Sequence, residues 1–261
     1  MGAPVHDVSI VGLGMRDTAY TYMDFHSLPS GGDWSLERSA VVFVEGSERV
    51  TVEGCVFDRV DGNAIIFSAY NRNASITYNE FAWIGATAIA LWGNTEDSPG
   101  ADRVMPEGYG SDGTSGNQPR FTTVAYNLAR EIGVLEKQSS FYTQFKSAQN
   151  HVHSNIVYNG PRAHLNNNDG FGGGQLIENN LVFNSCRESG DHGPFNSWFV
   201  QCFAARAQAG LRAKRRLLKQ LTTLCRSPGA RAHLAAAAAR LVSHGRWCCR
   251  HNLRRRLLAS G

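Results

Sequence analysis

Up to about residue 198 the apolar residues of this chain fall in short bursts separated by Gly, Asn, Asp or Ser. Five of the bursts repeat one another: Glu53-Gly54-Cys55-Val56-Phe57, Tyr78-Asn79-Glu80-Phe81, Tyr126-Asn127-Leu128-Ala129, Ser154-Asn155-Ile156-Val157 and Asn179-Asn180-Leu181-Val182. Aligned on Cys55, Asn79, Asn127, Asn155 and Asn180, they stand 24, 48, 28 and 25 residues apart. Recurrence at such a period marks a stacked repeat architecture. The interval of 48 is two periods, or one turn carrying a long loop. The Gly-, Asp-, Ser- and Pro-rich stretch from Thr95 to Arg120 would supply that loop.

A second burst follows the first. Asp61-Gly62-Asn63 leads into Ala64-Ile65-Ile66-Phe67, and Trp83-Ile84-Gly85 leads into Ala86 to Trp92. Each repeat therefore reads as a short strand, a corner containing Gly or Asn, and another short strand. Helical periodicity is absent before residue 199, and apart from Asp61-Gly62 no hairpin dipeptide sits between matched alternating runs. The pattern predicts an all-β solenoid of about six coils over residues 4–198, each coil resting on the next about 4.8 Å away in parallel pairing. Val56, Ile76, Val124, Ile156 and Leu181 are expected inside. Asn and Gly are expected at corners that need a left-handed backbone, with the aligned asparagines hydrogen-bonded into a ladder along the axis.

Charge divides the chain. Of its 26 Lys+Arg, 14 fall in residues 199–261, where there is no Asp or Glu; residues 1–198 hold all 22 acids and a net charge of −10. This sets a boundary near Trp198, between a β domain (4–198) and a basic Arg/Ala/Leu-rich tail (199–261). The tail has three readings: an out-of-frame or mis-spliced translation, a basic helical extension facing an acidic partner, RNA or anionic lipid, or a cap over the open end of the solenoid. Net charge alone does not establish nucleic-acid binding, and none is expected. No apolar run approaches ~20 residues, so no membrane span is expected. Met1 to Asp17 lacks the pattern of a secretion signal.

Several denser runs carry a likeness. They are Asp17-Thr18-Ala19-Tyr20-Thr21-Tyr22-Met23-Asp24, Pro29-Ser30-Gly31-Gly32-Asp33-Trp34, Asn159-Gly160-Pro161-Arg162-Ala163, Asn168-Asp169-Gly170-Phe171-Gly172-Gly173-Gly174, and Cys186-Arg187-Glu188-Ser189-Gly190-Asp191-His192-Gly193-Pro194-Phe195-Asn196-Ser197-Trp198. From Pro4 to Trp198 the sequence resembles the right-handed parallel β-helix repeat proteins of the pectin-lyase-like superfamily, in a microbial and algal subgroup. The resemblance implies the fold firmly and the function loosely, since that superfamily holds polysaccharide lyases, glycosidases, sugar epimerases and non-catalytic adhesins. It also implies an extracellular or secretory setting. The likeness breaks after Trp198: in the resembling proteins the run continues Asp-Arg into further coils, whereas here it continues Phe199-Val200-Gln201-Cys202. The chain thus resembles an interior fragment with a foreign end.

The sugar-degrading members work on the outer face of the coil, and here the polar side chains are densest in the last two coils. Aligning Asn155 with Asn180 sets Arg162 under Arg187, His164 under Ser189, Asn166 under Asp191 and Asn167 under His192, with Asp169 near Pro194. Asp169, Glu188, Asp191 and His192 are the candidate catalytic residues. Hydrolysis needs two carboxyls about 5–10 Å apart, for which Asp169, Glu188 and Asp191 are available. β-Elimination needs a base, His192 or Arg187, and a cation such as Arg162 to neutralise a uronate. Arg162, His164, Arg187 and Trp198 are the candidate substrate contacts. The lyase pattern of Asp-rich calcium sites is not evident, so no cofactor is expected and hydrolysis is slightly favoured. The expected partner is a polysaccharide; a glycan-binding or structural module without catalysis is the alternative, in which Arg187–Glu188 or Arg187–Asp191 is only an ion pair holding a corner. Trp34, Trp83 and Trp92 could serve as sugar platforms or as packing. His151-Val152-His153 puts two imidazoles on one strand face, a start for a metal site with no third ligand in view. Cys55 and Cys186 read as small buried residues.

Overall fold

The computed structural model describes residues 3–27, 36–93, 116–168 and 173–197. The basic segment 199–261, Trp34, Asp169 and Trp198 lie outside the described residues. Within them the chain is all-β, and a full turn contributes a strand to each of three sheets rather than the two strands read from sequence.

The chain enters through β1 (Val5–His6), β2 (Ser9–Val11) and β3 (Gly14–Arg16). An excursion follows, containing β4 (His26–Ser27) and β5 (Leu36–Glu37), which pair antiparallel. Then come β6 (Ala40–Glu48), β7 (Thr51–Glu53) and β8 (Val56–Asp58); β9 (Asn63–Arg72), β10 (Ser75–Thr77) and β11 (Glu80–Ile84); and β12 (Ile89–Trp92), β13 (Pro119–Arg120), β14 (Thr123–Ala125) and β15 (Leu128–Ile132). The later turns hold β16 (Tyr142–Phe145), β17 (His151–His153) and β18 (Ile156–Tyr158), then β19 (Leu165–Asn168), β20 (Leu176–Glu178) and β21 (Leu181–Phe183), and finally β22 (Phe195–Ser197). The first sheet runs β1-β6-β9-β12-β16-β19-β22, with β13 also beside β9; the second runs β2-β7-β10-β14-β17-β20; the third runs β3-β8-β11-β15-β18-β21. All pairs in these three sheets are parallel, as in Ile76↔Val124 and Ile76↔Val52. The arrangement fits a parallel β-helix.

The expected ladder is present. The Cys55 N–H donates to Asn79 Oδ1 (2.9 Å), the Asn79 N–H to Asn127 Oδ1 (2.9 Å), the Asn127 N–H to Asn155 Oδ1 (3.0 Å) and the Asn155 N–H to Asn180 Oδ1 (3.0 Å). Each Nδ2 from Asn79 to Asn155 donates to the next Oδ1 and to a carbonyl of the preceding turn, for example Asn127 to Asn155 Oδ1 (2.9 Å) and to the Ile76 carbonyl (3.0 Å). An amide has two donors and two acceptor lone pairs, and here all four are used. The direct bond from Asn79 to Asn127 also settles the 48-residue interval: it is one turn carrying a long insertion.

The interior differs from the sequence expectation at three positions. Ile76 and Val124 are fully buried, but Val56 and Ile156 are each 43% exposed and Leu181 is half-buried. In a three-residue strand only the middle side chain faces inward. The third sheet's inner column is therefore Phe57, Phe81, Ala129, Val157 and Val182, one residue further on. Phe57 and Phe81 stack there with ring centroids 5.0 Å apart. The left-handed corner positions also lie one residue before the ladder, at Gly54, Tyr78, Tyr126, Ser154 and Asn179.

Replacing Asn127 by Ala removes four side-chain hydrogen bonds, strips two buried Asn79 donors of their partner and takes one bond from the Ile76 carbonyl. Equilibrium denaturation of Asn127→Ala should show a loss of about 3 kcal/mol or more. A loss under about 1 kcal/mol would mean that the ladder is incidental to stability.

Candidate functional site

Where the third sheet hands the chain to the first, one residue per turn again has a left-handed backbone: Arg59, Trp83, Glu131, Asn159 and Asn184, with φ between 51° and 60°. Register stacks them in one column. Each lies four residues after the aligned position of its repeat: 55, 79, 127, 155 and 180. The turned backbone throws these side chains outward, and Trp83, Glu131 and Asn159 among them line one side of a surface cleft. Loops stacked like the strands close its other sides. The Gly133 and Glu136 N–H groups donate to the carbonyls of Ala86 and Gly85, and the Arg187 and Glu188 N–H groups to those of Gly160 and Pro161.

Trp83, Glu131, Val134, Lys137, Asn159, Pro161, Arg187 and Glu188 line the cleft. Trp83 is 48% exposed. Glu131 accepts from Asn159 Nδ2 through Oε1 and from Arg187 Nη1 through Oε2 (2.9 Å); Asn184 in turn donates to Asn159 Oδ1. Lys137 Nζ contacts both oxygens of Glu188 at 3.0 and 2.9 Å and also donates to the Val134 carbonyl at 2.8 Å. The cleft thus combines an open indole face, two carboxylates and two cations.

Beside it stands a second group. Arg162 is nearly buried, and its Nη2 lies 3.2 Å from Asp191 Oδ2 and 2.7 Å from His192 Nε2. A guanidinium has no acceptor, so His192 Nε2 accepts this bond and its proton resides on Nδ1, 3.3 Å from Asp191 Oδ1. Cys186 Sγ lies 3.1 Å from the His192 carbonyl oxygen, and its burial pushes the thiol pKa upward.

The structure separates the candidates accordingly. Glu188 and Arg187 line the cleft; Arg162, Asp191 and His192 form the adjoining triad. The register of the last coils differs from the uniform offset assumed from sequence. Asn166 pairs with Asn196 and Asn167 with Ser197, because the loop after Asn184 holds extra residues. The Arg162 carbonyl meets the Cys186 N–H rather than that of Arg187. Asp191 therefore reaches Arg162 from a loop and does not sit beside Asn166. His164 is 1% exposed, so it belongs to the packing behind the surface, out of a ligand's reach. It is wedged against Gly160, where an added Cβ would come within 2.3 Å of the imidazole. Trp92 is 1% exposed and is no platform. Glu131, Lys137 and Asn159 went unread in the sequence, although continuing the repeat alignment four residues past each ladder asparagine would have exposed Glu131 and Asn159.

Among the described residues no three His, Cys, Asp or Glu side chains converge as a ready-made metal site. No helix there is long and apolar enough to cross a membrane. No family model, curated protein or solved structure matches the chain.

Burial pulls the pKa of His164 down to about 4 from an ordinary value of 6.5. As pH falls, the unfolded chain takes up this proton first. The associated stability is complete above about 6.5 and is lost as pH drops towards 4, by an amount on the order of 3 kcal/mol. Denaturation at stepped pH should show a flatter acid limb for His164→Asn than for the parent; parallel limbs would refute the assignment.

Proposed function

We propose that this chain is a carbohydrate-active, right-handed parallel β-helix of the pectin-lyase-like kind, with about six coils, that holds a polysaccharide along the corner between its third and first sheets. The observation that carries this reading is the half-exposed Trp83 indole, set one turn from Glu131 in the same cleft as Lys137, Arg187 and Glu188. The C–H face of a pyranose stacks on an indole, while its hydroxyls bond carboxylates and cations alternately. A solenoid repeats these groups at the strand pitch, ~4.8 Å, which suits an extended chain of sugars rather than one small molecule. The likeness stated from the sequence runs in the same direction.

A second reading adds cleavage. Glu131 and Glu188 put two carboxyl groups into one cleft, the minimum equipment for glycoside hydrolysis. Of the three carboxyls that the sequence offered for this role, Asp169, Glu188 and Asp191, this reading keeps Glu188, while Asp191 stands with Arg162 and His192 beside the cleft. The His192 lone pair is likewise held by Arg162, which favours a positioning role over that of a base.

Affinity electrophoresis of the full chain in gels containing a panel of plant, algal and bacterial polysaccharides tests the primary reading. Retardation by at least one polymer is expected, with Trp83→Ala weakening it tenfold or more while melting at the parent temperature, because the indole is exposed. Retardation by none, or equal retardation of Trp83→Ala, would overturn it. Reducing-end release separates the second reading: Glu131→Gln and Glu188→Gln should each abolish release while keeping retardation. A parent chain that binds and releases nothing is a binding module.

A further inference from the structure

On the outer face of the second sheet, away from the cleft, β17 presents His151 and His153 from alternate positions and hence on one side. The sequence offered no third group, but the stacking supplies one. β20 places Glu178 opposite His153, and its Oε1 lies 3.1 Å from His151 Nε2. The two imidazole centroids are 4.1 Å apart. The Tyr126 ring meets His153 edge-on at 5.3 Å and fixes one wall of the group.

One of those spacings approaches that of a coordination polyhedron, although the three groups do not yet converge on a common point. Ligand atoms held ~2.0–2.1 Å from a tetrahedral zinc stand about 3.3 Å from one another. His151 Nε2 and Glu178 Oε1 are already close to that separation. We propose that His151, His153 and Glu178 bind one divalent transition-metal ion of the zinc class, clamping β17 to β20 across neighbouring turns. His153 Nδ1 is turned towards Ser154 Oγ at 3.2 Å, so the ion draws this ligand in through Nε2 by rotation of the side chain. His151 and Glu178, with side chains 36% and 45% exposed, have room to follow. Two nitrogens and one carboxylate suit zinc, nickel or copper, whereas calcium and magnesium demand a shell of oxygens.

Calorimetric titration of the full chain with zinc chloride near neutral pH tests the site. The accessible thiols are alkylated beforehand under native conditions, so that thiolates elsewhere do not take up the metal; Cys55 is fully buried and stays out of reach of both reagent and ion. The parent should bind one equivalent more than His151→Ala/His153→Ala and should melt at a higher temperature with zinc. Glu178→Gln should weaken that equivalent at least tenfold, and calcium chloride should produce neither effect. Equal stoichiometry in parent and double variant, or a melting shift with calcium as large as with zinc, would overturn the proposal. If the double variant loses the β-type circular dichroism of the parent, Glu178→Gln alone decides: unweakened zinc binding there refutes the site.

Discussion

The fold depends on the buried amide column from Asn79 to Asn180. Each amide from Asn79 to Asn155 bonds forward to the next turn and backward to a carbonyl of the preceding one, and Asn180 bonds back to the Val152 carbonyl, so these corners are anchored at the spacing that the parallel strands need. A polar side chain in such a place would be costly without full pairing. Fully paired, it fixes register, since a slip of one residue would leave buried donors and acceptors without partners at every level. The long interval between β12 and β13 shows the strength of this constraint: across it, Asn127 still takes its place beside Asn79.

Fixed register turns sequence positions into columns. In the strands this gives an interior of Val52, Ile76, Val124 and Val152 on one wall and of Phe57, Phe81 and Val157 on another. At the corners it gives left-handed residues whose side chains point outward. Non-glycine residues there carry a conformational cost of roughly 1 kcal/mol each, yet Trp83, Glu131, Asn159 and Asn184 all occupy such positions. The stack over-determines those corners and so can hold residues that a free loop would not. The cleft is the result: Trp83, Glu131 and Asn159 sit on successive corners, spaced by the strands themselves.

The repeat, its period and the ladder were legible because they rest on one residue type at a nearly constant interval. The second sheet was not. Ile76 and Val124 are expected inside and His151-Val152-His153 reads as strand, but a lone apolar residue between two polar ones, as also in Thr51-Val52-Glu53, does not stand out as a separate third strand of each turn. The inner column of the third sheet was misplaced by one residue because Val56, Ile156 and Leu181 are as apolar as their inward neighbours, and composition cannot tell which side chain faces in. In the candidate site, Glu188, Arg187, Arg162, Asp191 and His192 were found by their density, but their partners were not. The loop from Ser185 to Pro194 breaks the uniform offset on which the pairing of Asp191 with Asn166 depended, while Glu131 and Lys137 lie one turn earlier in an unremarkable stretch.

That loop also explains why two charged groups sit side by side without merging. Its start follows the stack, with the Cys186, Arg187 and Glu188 N–H groups bonded to the carbonyls of Arg162, Gly160 and Pro161. This sends Arg187 and Glu188 towards Glu131 and Lys137. Its later part departs from the stack and turns back at His192, which has a positive φ of 68°. The nearly buried Arg162 guanidinium is what receives that return, through Asp191 and His192. A buried cation must be paired, and removing its partner is far costlier than losing a surface contact. The triad therefore fixes the loop that carries Arg187 and Glu188, and the geometry of the cleft rests on a charged group that stands outside it.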